Sequence, residues 1–80
     1  MRVIGEVSHP ACKITIFNWN GKYLIKFEQG LIEQTYKVSE MDVSDEKDVL
    51  LLTKSPFIDK VLLRFEEMQK DLFEGLEELY

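Results

Sequence analysis

Asn20-Gly21 constrains this chain more than any other feature, because it sits between two runs suited to β-strands. Residues 13–19 are rich in β-branched and aromatic side chains, which fit a pleated surface, and a second such run follows over 22–28. Asn and Gly both tolerate the positive φ angles of a two-residue type I′ turn, so the dipeptide predicts a hairpin and fixes its register by counting. Trp19 then faces Lys22, Asn18 faces Tyr23, Phe17 faces Leu24, Ile16 faces Ile25 and Ile14 faces Phe27. Because side chains alternate across a strand, Ile14, Ile16, Tyr23, Ile25 and Phe27 collect on one face.

Gln29-Gly30 offers a second turn, with a third strand over 31–38. A two-residue loop there sets Phe27 opposite Ile32, Tyr23 opposite Tyr36 and, on the other face, Lys26 opposite Glu33. Residues 1–7, with Val3, Ile4 and Val7 but interrupted by Gly5, read as a fourth strand, and Ser8-His9-Pro10-Ala11 as its connection to the next.

The period changes near residue 40. Ser44 is a candidate N-cap, and Asp45 and Glu46 after it suit a helix N-terminus, which predicts a short helix within 44–53. Ser55-Pro56 is a stronger start, because Ser can cap free N–H groups and Pro is favoured at the first helical position. From Pro56 to Leu79 the residues Ile58, Val61, Leu62, Phe65, Met68, Leu72, Leu76 and Leu79 recur at intervals of three and four, the stripe of an amphipathic helix. The expected fold is therefore α+β: a four-stranded antiparallel meander (1–38) packed on one face by a long C-terminal helix (56–79), with a short connecting helix (44–53), in one domain spanning 1–80. Its core is expected to hold Ile14, Ile16, Tyr23, Ile25, Phe27, Ile32, Tyr36, Val61, Phe65, Met68 and Leu72.

Length and charge narrow the function. Eighty residues, 45% of them hydrophobic, supply one core and no room for a dinucleotide-binding unit. The net charge of −5 disfavours phosphate backbones and anionic membranes, but it is unevenly spread. Residues 1–38 carry five bases against three acids, +2, and residues 39–80 carry five against twelve, −7. A single cysteine, Cys12, forbids an internal disulfide and suits a reducing compartment. Glu6 falls too early for a secretory core, and no uncharged apolar run approaches a membrane span, so a soluble, unprocessed, cytoplasmic protein is expected.

Signals for chemistry are weak. His9 and Cys12 are the only residues of their kinds, two ligands where a structural zinc site wants four, and a thiolate nucleophile would need an oriented base. Asp42, Asp45, Glu46 and Asp48 lack the glycine and the distal Glu of a calcium loop. The four glycines stand singly, so no phosphate-cradling loop is present. The expectation is a protein that is not an enzyme, with no cofactor, no metal and no evident small-molecule ligand.

Two surfaces stand out instead. The predicted register puts Phe17, Trp19, Leu24 and Leu31 on the sheet face away from the helix, beside Thr15, Lys22, Lys26, Glu33 and Thr35. A one-sided antiparallel sheet should be polar there, and an apolar strip marks an interaction site. At the other end of the chain Phe73, Leu76, Leu79 and Tyr80 are interleaved with Asp71, Glu74, Glu77 and Glu78, and no base follows Lys70. These residues are candidates for docking on a partner or a second subunit. For the sheet strip, the leading expectation is self-association or binding of another protein; the alternatives are cover by the Val49-Leu50-Leu51-Leu52 run, or stacking of single-stranded bases on Phe17 and Trp19. Four strands followed by a helix is similar in order to the repeat unit of PUR and Whirly single-strand-binding proteins, a likeness of topology alone, and it implies the nucleic-acid alternative.

Overall fold

Asn20 and Gly21 both adopt positive φ, 53° and 76°, as a type I′ turn requires, and the hairpin they close has the register obtained by counting. The computed structural model describes the whole chain, Met1–Tyr80. Four strands, β1 (Arg2–Val7), β2 (Lys13–Trp19), β3 (Lys22–Gln29) and β4 (Ile32–Ser39), form one antiparallel sheet in the order β1-β2-β3-β4. A 3-10 turn at Glu40–Asp42 leads to helix α1 (Glu46–Leu51) and then to helix α2 (Phe57–Glu77).

The second hairpin departs from expectation. Its turn is Gly30-Leu31, not Gln29-Gly30, and the register moves by two: Phe27 faces Gln34, Ile25 faces Tyr36 and Tyr23 faces Val38. Both common two-residue hairpin turns demand positive φ at their first central position. Gly30 supplies it, at 60°, where Gln29 would be strained. A two-residue shift keeps the side chains from Ile32 to Val38 on their expected faces and moves Leu31 out of the strand into the turn. It also sets Glu28 directly opposite Glu33, a like-charge pair, and Lys26 answers both, at 3.8 Å and 3.2 Å. Lys26 therefore reaches Glu33 along a diagonal, its direct partner being Thr35.

One core lies between the sheet and the helices. Ile14, Ile16, Tyr23, Ile25 and Phe27 from the sheet meet Ile58, Val61 and Phe65 of α2 and Val49 of α1, with Ile32, Tyr36 and Met68 partly buried against them. Edge-to-face packing of Tyr36 on Phe27 and on Phe57, at 5.9 Å and 5.1 Å, anchors the start of α2 over β4. Leu72 does not join this core; it is 41% exposed. The helix bounds also differ from expectation. Asp45 rather than Ser44 caps α1, its carboxylate accepting from the N–H groups of Lys47 and Asp48, and no side chain caps α2, whose N-cap position is Pro56 rather than Ser55. Both bonds go to Asp45 Oδ1, and the Asp48 carboxylate accepts in turn from the Ser44 N–H at 2.8 Å.

Candidate interaction surface

The buried side of α2 ends before the helix does. Twenty-one residues at about 1.5 Å each make a helix of about 31 Å, but it starts well inside the sheet, over Tyr36 and Phe27. By Gln69, whose side-chain amide donates to the Gln29 carboxamide oxygen, it has reached the last residue of β3. Beyond that point no sheet lies beneath it, and every residue from Gln69 to Tyr80 is exposed. The molecule is accordingly elongated, 48 × 25 × 20 Å.

At about 100° per residue, Leu72 and Leu76 continue the line of Ile58, Val61 and Phe65, with Phe73 on one flank, and the exposed Leu79 and Tyr80 follow just past the last helical residue, Glu77. Of the acids in this part of the helix, Glu74 falls opposite the line, and Asp71 and Glu77 border it on its two sides. Leu31, at the tip of the β3–β4 turn, comes to this surface: Leu31, Ile32, Leu72, Phe73 and Leu76 line one apolar groove with Gln29 and Gln69. Leu31 is 92% exposed there. At roughly 200 Å² per large side chain, the exposed fractions of Leu31, Leu72, Phe73 and Leu76 amount to on the order of 500 Å², an apolar patch of the size that often marks a functional surface.

The outer sheet face is smaller than the sequence implies. Leu31 is absent from it, and Leu24, only 7% exposed, is buried among its neighbours. Its rows read Val3–Phe17–Leu24–Lys37 and Trp19–Lys22–Ser39 at one end and Lys13–Glu28–Glu33 at the other. Phe17 is partly buried and Trp19 is 46% exposed, so the strip reduces to Trp19, the edge of Phe17 and the exposed Val3. The Val49–Leu52 run does not cover it. Val49 packs into the core beside Ile16 and Tyr23, and with Leu50 it walls a recess against Ile4 and Val7, so α1 lies on the same side of the sheet as α2.

Cys12 and His9 do not form an activated pair. Burial pushes the Cys12 thiol above its ordinary value of 9.0, away from the thiolate, and the His9 Nδ1 accepts the Ala11 N–H at 3.0 Å. No group of three or more His, Cys, Asp or Glu side chains converges as metal ligands would, and no helix is long and apolar enough to cross a membrane. The sequence reading missed the joining of Leu31 to Leu72, Phe73 and Leu76. The signal that could have found it was Gly30, whose need for the first central turn position moves Leu31 out of the strand. Compared with family models, with curated proteins and with solved structures, the chain matches none.

Proposed function

We propose that this chain is a small non-enzymatic protein-interaction domain, working in the cytoplasm as a homodimer or an adaptor, with the overhang of α2 as its docking surface. The carrying observation is that the apolar stripe of α2 outruns the sheet: Leu72, Phe73 and Leu76, joined by Leu31, line a groove that nothing in the chain fills. Asp71 and Glu77 border the stripe rather than interrupt it, so docking leaves their charges at the rim. They give the rim a negative field that favours a partner with a basic border. A binding role rather than a catalytic one is supported by the raised thiol of Cys12, and the free cysteine suits a reducing cytoplasm.

Leu76→Glu tests this reading, because it charges the groove without touching the core. Solution mass by light scattering over a range of concentrations, together with the set of proteins retained by immobilised wild type and variant, gives the two readouts. Loss of either self-association or a specific retained protein in the variant supports the overhang. A variant whose solution mass and retained proteins are both those of the wild type removes it.

A second reading, binding of single-stranded nucleic acid on the outer sheet face, draws on one observation. Trp19 is half-exposed opposite Lys22, with Lys37 in the next row and no strand carboxylate in either row. Titration of Trp19 fluorescence with oligonucleotides at low salt tests it, and an unchanged signal ends it.

A further inference from the structure

The two edges of the sheet are unlike. β1 is short and its pairing is broken by an irregularity between Val3 and Gly5, devices that blunt an edge against further strands. β4 runs eight residues with no Gly, no Pro and no break in register. Gln29 and Ile32 close the two-residue turn as a hydrogen-bonded pair, so Ile32, Gln34, Tyr36 and Val38 turn their backbone groups toward β3. Glu33, Thr35 and Lys37 turn theirs outward. No side chain and no backbone group outside the ladder bonds to them.

We propose that β4 is the edge on which a second copy of this chain docks, antiparallel and centred on Thr35, so that two four-stranded sheets become one. It rests on the reading of the chain as an interaction domain and assigns self-association to a surface distinct from the α2 overhang, which stays free for a different protein. The strand is self-complementary about Thr35. In that register Glu33 of each copy stands opposite Lys37 of the other, Ile32 opposite Val38, Gln34 opposite Tyr36, and Thr35 opposite its own copy. Two ion pairs and a Thr–Thr pair form on the outer face, and apolar and polar side chains match on the helix face. The outward backbone groups of Glu33, Thr35 and Lys37 meet those of Lys37, Thr35 and Glu33, two bonds to each opposed pair. Sliding by two residues either way sets Glu33 or Lys37 against Thr35 and loses both ion pairs. The carboxylate of Glu33 has acceptor sites for Lys26 of its own chain and Lys37 of its neighbour at once. An isologous contact of this kind closes under two-fold symmetry and leaves no β4 edge exposed.

Complementary charge reversal on the full chain tests the pairing. Glu33→Lys and Lys37→Glu are both exposed substitutions, and circular dichroism checks that each variant keeps its fold. Sedimentation or light scattering is then run on wild type, on each variant, on their equimolar mixture and on Leu76→Glu. A wild-type dimer is expected, with each single variant weakened tenfold or more and the mixture restoring a two-chain species, since one variant then offers cations where the other offers acids. Leu76→Glu is expected to dimerise as wild type does. A wild type that stays single-chain, single variants that associate like wild type, or a mixture that stays dissociated each overturns the edge. If only Leu76→Glu dissociates, self-association belongs to the overhang: the edge proposal fails and the docking role of α2 stands.

Discussion

The carboxamide of Gln34, buried on the sheet face beneath α2, donates to the main-chain carbonyl of Val61 at 2.9 Å. The same side chain accepts from the hydroxyl of Tyr36, which accepts in turn from Arg64 at 3.1 Å. Gln34 lies on the helix face in either register, and the shift in the second hairpin decides its place there, opposite Phe27 rather than Ile25. Its hydrogen bonds are satisfied there, which a buried amide requires.

Removing that amide should be costly. Gln34→Ala leaves the Tyr36 hydroxyl without its acceptor and opens a gap beneath α2, and a loss of roughly 2–3 kcal/mol is expected in urea unfolding. Gln34→Glu should be worse at neutral pH than near pH 4, because only the protonated carboxyl can donate to the Val61 carbonyl. Equal stability of Gln34→Glu at the two pH values, relative to wild type, would count against the donor role.

Stability should decline on the alkaline side. Burial raises the Cys12 thiol above 9.0; burial first, then Glu40, Glu46 and Asp45, raises Tyr23 above 10.0; the hydrogen bond to Glu33, with the charge of Glu28, raises Lys26 above 10.5. The folded chain holds each proton more tightly than the unfolded chain does, so each contribution is present below the ordinary value and is lost as pH rises through the folded one. Thermal scans should show a falling midpoint from about pH 9 upward, and Cys12→Ala should remove the earliest part of that fall. A midpoint that is flat from pH 8 to 11 would contradict it.

The packed part of α2 and the segment that runs out past the sheet should respond differently to truncation. Phe65 is fully buried, and Phe65→Ala is expected to cost about 3–5 kcal/mol by leaving a cavity. Leu79→Ala, on the overhang, should change stability by less than about 0.5 kcal/mol. Denaturant midpoints compare the two directly, and similar losses would mean that the overhang is packed in the isolated chain.

Gly30→Ala should destabilise by about 1–2 kcal/mol, because a Cβ is strained at φ 60°. Leu31→Asp, one residue on, is expected to be neutral to folding, since Leu31 touches the groove and not the core. A loss in Leu31→Asp equal to that in Gly30→Ala would place Leu31 inside the folded core after all.

The sequence by itself determined the first hairpin and its register, the faces on which the residues of β2, β3 and β4 lie, and the helical period after residue 40. All of these follow from local rules: the φ demands of Asn20-Gly21, the two-residue alternation of a strand and the stripe of α2. Gln29-Gly30-Leu31 left two turns open, and the choice came from the steric cost of positive φ at a residue with a Cβ, weighed against strand pairing. Only the tertiary structure decided where burial stops. Leu72 and Leu76 carry the same pattern as Val61 and Phe65, and they differ because β3 and β4 end at Gln29 and Ile32 while α2 does not. In the same way Val49 tells nothing of which sheet face it will meet until α1 is folded back beside Ile16 and Tyr23. A periodic stripe specifies which side of a helix is apolar; what lies opposite each turn of it is set by the lengths and positions of the other elements.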